Sequence, residues 1–297
     1  MKLLIVDDSA VMRNVLNDII SQISGIDATK EIMKERPTAI LIFSGELDAK
    51  NSFEAIQNGA VEVFKKPSFD VLNDDDFLET FKQKLFNIAD ARVNINKTMS
   101  IGTIGCHDDN NDYKICLIGA STGGPVAVKT ILSQLPKTFP IGIAVVQHLE
   151  KGFEEGYADW LDKGTSLTVR LAKHNDIAIP GEVLVSPIEK HLKIEGDIFV
   201  LDDGPAVLNQ KPSVDILFES AAKSYREKVL AILLTGMGRD GANGCVAIKE
   251  KQGFTIAQDE KSSTIFGMPK AAIEQAGACK VLPLNEIAAF LADKVGG

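Results

Sequence analysis

The sequence predicts an α/β protein whose larger part is a doubly wound, mostly parallel sheet. Three observations carry this. Short apolar runs alternate with stretches of helical period from one end to the other, and no tandem repeat or long low-complexity tract interrupts them. In the second part, three of these runs end in chemically useful polar residues, as strands do when their carboxyl ends share one edge. At 297 residues and 45% hydrophobic content, the chain can fill two ordinary cores.

In the first part, residues 2–6 read as a strand, 9–23 as a helix, 27–35 as a second helix stopped by Pro37, and 39–43 as an apolar strand. Residues 46–58 predict a further helix ended by Gly59, followed by a strand over 61–64 and then Lys65-Lys66-Pro67. Asp76 is placed to cap a helix whose apolar positions Phe77, Phe81, Leu85 and Ile88 fall at helical spacing. Between 93 and 112 the pattern disappears, and His107-Asp108-Asp109-Asn110-Asn111-Asp112 reads as a solvated linker rather than a metal site. The expected organisation is a first domain over 1–92, a linker over 93–112 and a second domain over 113–297.

The bulk properties exclude several classes. A net charge of −9 without any basic cluster argues against nucleic-acid binding. The apolar start covers only Leu3 to Val6 before Asp7 and Asp8, and no apolar run approaches the length of a bilayer span, so no membrane insertion is expected. Cys106, Cys116, Cys245 and Cys279 form no C-x-x-C pair. They predict reduced thiols, no metal site and a cytoplasmic protein.

The stretch Leu117-Ile118-Gly119-Ala120-Ser121-Thr122-Gly123-Gly124 carries the most chemistry. An apolar run stops at a serine boxed by glycines, and Pro125 opens a helical pattern. The text fits G-x-S-x-G, a sharp strand-to-helix turn that lifts a serine hydroxyl out of the sheet. Taken alone it fits a phosphate cradle at a helix start equally well, with a plain tight turn as the third option. Two further strand ends favour the nucleophile, with nucleotide binding kept as a further option. The run over 141–146 delivers Gln147-His148, and the run over 229–234 delivers Thr235-Gly236-Met237-Gly238-Arg239-Asp240-Gly241. A nucleophile, a base and a carboxylate thus share one sheet edge, the serine–histidine–aspartate constellation. Each has a bland alternative, and Asp240 reads as the cap of a helix from Ala242. His107 and His174 lie in polar loops, whereas His191, beside a strand-like 192–194, rivals His148 as base or lines the cleft. The order Ser, His, Asp differs from that of α/β-hydrolases. Oxyanion donors are expected near Met237 or the Gly123-Gly124 turn. No P-loop lysine follows the glycines, and no acidic residue stands about twenty positions on, which weakens nucleotide binding.

Residues 115–297 resemble the catalytic domain of the chemotaxis-specific protein-glutamate methylesterase (CheB) family. The matching segments are Ile118 to Gly124, Gln147-His148, Asp203-Gly204-Pro205-Ala206, Lys211-Pro212-Ser213-Val214-Asp215, Leu234 to Gly241 and Phe266-Gly267-Met268-Pro269. The resemblance implies Ser121 as nucleophile, His148 as general base, Asp240 as its orienting carboxylate and the Met237 N–H as an oxyanion donor. It implies hydrolysis of glutamate γ-methyl esters, and deamidation of glutamines, on methyl-accepting chemoreceptors, with no metal or organic cofactor. The rival from another class is a non-catalytic adaptor binding receptors or a chemotaxis histidine kinase.

The N-terminal part resembles a response-regulator receiver, a flavodoxin-like domain, through Leu3 to Ala10 with the acidic pair Asp7 and Asp8, the hydroxyl position Ser44, and Lys66-Pro67. Thirty residues separate Asp8 from Ala39. A complete receiver needs on the order of 60 there, for three helices, two strands and their connections. The second strand, second helix and third strand are therefore expected to be missing, and with them the phosphoacceptor. Asp27 is no replacement, because it reads as the cap of a helix.

Overall fold

The computed structural model describes residues 2–5, 25–35, 37–44, 49–65, 75–89, 106 and 112–296. They fall into two compact units, Met1–Ile95 and Asn96–Gly297. The predicted helix over 9–23, and Asp7, Asp8 and Lys66, lie outside the described residues. None of the described helices is long and apolar enough to cross a membrane.

The first unit holds a three-stranded sheet in the order β1 (Lys2–Ile5), β2 (Ile40–Ser44), β3 (Glu62–Lys65). Its described helices are α1 (Gly25–Glu35), α2 (Ala49–Gln57) and α3 (Asp75–Ala89). Asp27 lies inside the first turn of α1 and Asp76 inside α3, so neither takes the capping position that the sequence suggests. The spacing of Phe77, Phe81, Leu85 and Ile88 does what it predicts: that face of α3 packs on Phe64, Leu41 and Val61. Phe64 meets Phe77 and Phe81 at ring-centroid distances of 5.9 and 5.4 Å.

Strand direction departs from a receiver. β2 and β3 pair in parallel, but β1 pairs with β2 antiparallel. Counting elements explains it. A single helix between two strands returns the chain to the end where it started, giving a parallel pair. Two successive helices, as the sequence places between β1 and β2, bring it back to the end it left. The loss of a strand, a helix and a strand that the sequence leads one to expect would therefore reverse β2 and β3 relative to β1. Ser44 closes β2.

The second unit is built on seven strands, all parallel. β4 (Ile115–Ala120) leads through α4 (Gly124–Leu132) to β5 (Gly142–Gln147), and α5 (Glu154–Gly164) leads to β6 (Thr168–Leu171) and β7 (Glu182–Val185). A separate antiparallel hairpin comes next, β8 (His191–Glu195) and β9 (Ile198–Asp202). Then come α6 (Val214–Tyr225), β10 (Val229–Leu233), α7 (Ala242–Glu250), β11 (Phe254–Gln258), α8 (Met268–Glu274), β12 (Lys280–Leu282) and α9 (Leu284–Val295).

Sheet order is β12-β11-β10-β4-β5-β7-β6. The chain starts in the middle at β4, moves outward on one side, and returns to lay β10 against β4's other edge. β4 and β10 are buried along their whole lengths, which is why both read as unbroken apolar runs. Val214, Leu217, Phe218 and Ala221 on α6 pack with Leu117, Ala231 and Leu233 in the main core.

The expectation of four reduced thiols is corrected. Cys106 and Cys279 form a disulfide with a Cα–Cα distance of 5.5 Å, within the usual range for a bridge. They are 173 residues apart, so spacing alone could not pair them. Cys116 and Cys245 are free and buried. Burial pushes the Cys116 thiol up to about 12 and the Cys245 thiol higher still.

Candidate active site

In open parallel sheets, ligands bind where strand order reverses, because the loops there diverge and leave a crevice. That point here lies between β4 and β10. The loop after β4 carries Ser121, and the loop after β10 carries residues 235–241. β5, on β4's other side, ends in Gln147 and His148.

The serine turn is held from three sides. Ser121 N–H donates to Thr235 O (3.0 Å), while Gly124 N–H (2.7 Å) and the Gln147 amide (2.8 Å) donate to Ser121 O. Gly123 takes a φ of +75°, left-handed backbone that a side chain would strain, and α4 starts at the next residue. Thr235, fully buried, donates through Oγ1 to Thr122 O (2.9 Å) and accepts from Ile265 N–H (2.9 Å). It thus knots the nucleophile turn to the loop after β11. At Gly236 a Cβ would lie 2.7 Å from Ser121 Cβ, so only glycine lets this loop approach the serine. Gly236 O accepts from Met268 N–H (2.9 Å) and Gly267 N–H (3.1 Å), which explains the Phe266-Gly267-Met268-Pro269 segment. That contact fixes the peptide plane carrying the Met237 N–H, since both groups share it. The Met237 side chain is 38% exposed.

His148 Nε2 lies 2.9 Å from Asp240 Oδ2, with the side chains 8% and 3% exposed. Nε2 faces the carboxylate as a donor, so the ring turns its other nitrogen, Nδ1, away from Asp240. Nδ1 is buried with no hydrogen-bond partner.

Asp240 is saturated with donors. Oδ1 accepts from the Ser213 hydroxyl (2.7 Å) and Asp215 N–H (3.0 Å), and Oδ2 from Val214 N–H (2.7 Å) as well as His148. Asp240 thus caps α6, not the helix from Ala242 that the sequence suggests; Gly241 precedes that helix without a side-chain cap. Burial pushes the Asp240 carboxyl up, but the bond from His148, joined by those from Asp215 and Ser213, outweighs it and leaves the group below its ordinary value. Free N–H groups and the dipole at the start of α6 act in the same direction.

His191 proves to be a strut. It is 1% exposed, its Nε2–H donates to Pro205 O (2.9 Å), and its Nδ1 accepts from Ser213 N–H (3.1 Å). It therefore steadies the serine that orients Asp240. The sequence reading missed Ser213 and Gln147 as contributors. Ser213 had a legible signal, a serine directly before the apolar periodicity of α6, which marks an N-cap. Among the described residues, His148 meets Asp240, its N–H donates to Ala120 O (3.0 Å) beside Ser121, and Met237 follows the Gly236 that packs on Ser121, while no hydrogen bond joins Ser121 to His148. Of the receiver-like positions only the backbone of Ser44 is described.

Similar proteins point the same way. The family model for CheB methylesterase matches residues 116–291. The protein-glutamate methylesterase/protein-glutamine glutaminase 2 of Vibrio vulnificus (strain YJ016) is 34% identical, covering 99% of this chain and 98% of that one. The corresponding protein-glutamate methylesterase/protein-glutamine glutaminase of Methanococcus maripaludis is 32% identical, covering 100% and 99%. These alignments extend over 340 and 363 residues against a chain of 297, so both open gaps in this chain. The crystal structure of the Thermotoga maritima CheB methylesterase catalytic domain superposes with a TM-score of 0.60 at 40% identity, covering 62% of this chain and 99% of that one. With a fold, a sheet-edge constellation and a family model that all coincide on the second unit, the chain belongs to the CheB methylesterase family.

Proposed function

We propose that the chain hydrolyses glutamate γ-methyl esters, and deamidates glutamines, on methyl-accepting chemoreceptors. Ser121 Oγ attacks the γ-carbonyl as His148 Nδ1 takes its proton. The resulting imidazolium keeps its Nε2–H on Asp240, and the Met237 N–H faces the oxyanion. Methanol, or ammonia from a glutamine, leaves with the proton returned from Nδ1. Water then attacks the acyl-enzyme, again deprotonated by Nδ1, and frees the glutamate. One observation carries this reading: His148 Nε2 meets Asp240 Oδ2 at 2.9 Å while Nδ1 has no partner, on a residue whose N–H is bonded to Ala120 O next to Ser121.

The N-terminal unit is proposed to be a receiver remnant without a phosphoacceptor. Among the described residues, α1 is the only element between β1 and β2. A chemotaxis histidine kinase then meets this unit as a docking partner, not as a phosphodonor. The proposed location is the cytoplasm.

Methanol release from methylated receptor membranes tests the reading. Ser121→Ala is expected to abolish it while leaving receptor binding within about twofold, since only a hydroxyl is lost. Turnover by Ser121→Ala at the parental rate overturns the triad and leaves the adaptor reading.

A further inference from the structure

The two helices that flank the site exchange caps. Asp240, in the loop entering α7, accepts from the first N–H groups of α6. In return Asp215, in the first turn of α6, sends its carboxylate to the start of α7. There it accepts from Gly244 N–H (2.8 Å) and Asn243 Nδ2 (3.3 Å). Asp215 therefore touches Asp240 through its own amide and holds, through its carboxylate, the start of the helix that follows Asp240. It is 2% exposed, and the hydrolytic steps do not use it.

We propose that Asp215 is a positioning residue for this hydrolase, clamping Asp240 toward His148 and supplying, when ionised, a second buried negative charge behind that pair. The proposal rests on the triad reading. Its chemistry comes from the transition state, in which His148 becomes an imidazolium. A fixed negative charge in a dry surrounding stabilises that cation more than it stabilises the neutral ground state, so it acts on kcat.

The groups facing Asp215 are all acidic or neutral. Glu219 lies one turn along α6, Asp240 and Cys245 face it from α7 and its entering loop, and His148 lies beyond Asp240. Among the described residues no salt bridge reaches it. Burial pushes its carboxyl up to about 6, with the Gly244 N–H pulling down and the Asp240 and Glu219 charges pushing up. The clamp therefore changes charge in the range where a cell operates.

Stability and activity then respond in opposite directions. The folded value lies above the unfolded one, about 4, so the folded state holds the proton more tightly. That contribution is complete below about pH 4 and is lost as pH rises through about 6. At pH 7.5 the ionised carboxylate costs stability while it aids catalysis. Asp215→Asn keeps the shape and one acceptor oxygen but not the charge.

The test is the pH dependence of kcat and KM on methylated receptor, together with thermal melting of the full chain. For Asp215→Asn we expect kcat down about tenfold at pH 7.5, KM within twofold, a melting temperature no lower than the parent's, and an acid limb with one ionisation fewer. A helix cap with no catalytic part gives the reverse, a lower melting temperature with unchanged kcat and acid limb, and overturns the proposal. Asn243→Ala provides a second variant at an exposed position: losing that donor should move the acid limb to higher pH with the plateau retained. An unmoved limb counts against the proposal even where Asp215→Asn fails to fold. Asp240→Asn separates the two readings: if it leaves kcat unchanged, the triad itself is wrong.

Discussion

Gln147 shows how much a single side chain carries here. Its amide donates to Ser121 O at 2.8 Å and to His148 O at 3.0 Å, tying the backbone of Ser121 to that of His148. Its Oε1 is buried without a partner, a cost typically of about 1–3 kcal/mol that only a held position elsewhere offsets. Gln147→Glu removes both donors and sets a carboxylate against two carbonyls. Esterase kinetics should show kcat/KM down by about a hundredfold, and Gln147→Ala by about tenfold, since it loses the strap without adding repulsion. At this scale the sequence was half legible. Ser121, His148 and Asp240 could be picked out because each ends an apolar run. Gln147, Ser213 and Asp215 looked like bystanders, because their value lies in what they hold across gaps of 26 residues or so. The same blindness set Asp240, in its bland reading, as the cap of the helix from Ala242, whereas it accepts from the first N–H groups of α6.

Among the elements, the β10–α7 connection does the most positioning. Gly236 passes so close to Ser121 that a methyl group has no room, its other neighbour being the Met268 sulfur. Gly236→Ala should push the serine turn away from the Met237 loop. A displacement approaching about 1 Å costs on the order of a hundredfold in kcat, with a smaller effect on melting because the shift is absorbed in loops. Stopped-time methanol release alongside a melting curve checks this; equal losses in both would mean that the loop unfolds rather than shifts. Element existence was readable from sequence, since unbroken apolar runs such as β4 and β10 admit few alternatives. Strand direction in the first unit was not. The periodicity of residues 2–5 says that they pair, but only the number of helices before the next strand says which way.

On the scale of the whole molecule, a family catalytic unit is preceded by a unit of three described strands. With no acceptor strand in the sequence between Asp8 and Ala39, incubation with a small-molecule phosphodonor and Mg²⁺ should leave the intact mass unchanged. An acid-labile gain of about 80 Da on the first unit would require an acceptor other than the usual strand-end aspartate. The catalytic sheet adds a constraint of another kind. Because the chain begins at the middle strand and supplies the far half last, His148 and Asp240 are 92 residues apart in the sequence although 2.9 Å apart in space. A ribosome adding about 5–20 residues per second needs roughly 5–18 s to make that stretch. A nascent chain therefore carries Ser121 and His148 well before Asp240 exists. Under the proposed mechanism, a product truncated before Asp240 keeps Ser121 and His148 but lacks the carboxylate that orients the imidazole.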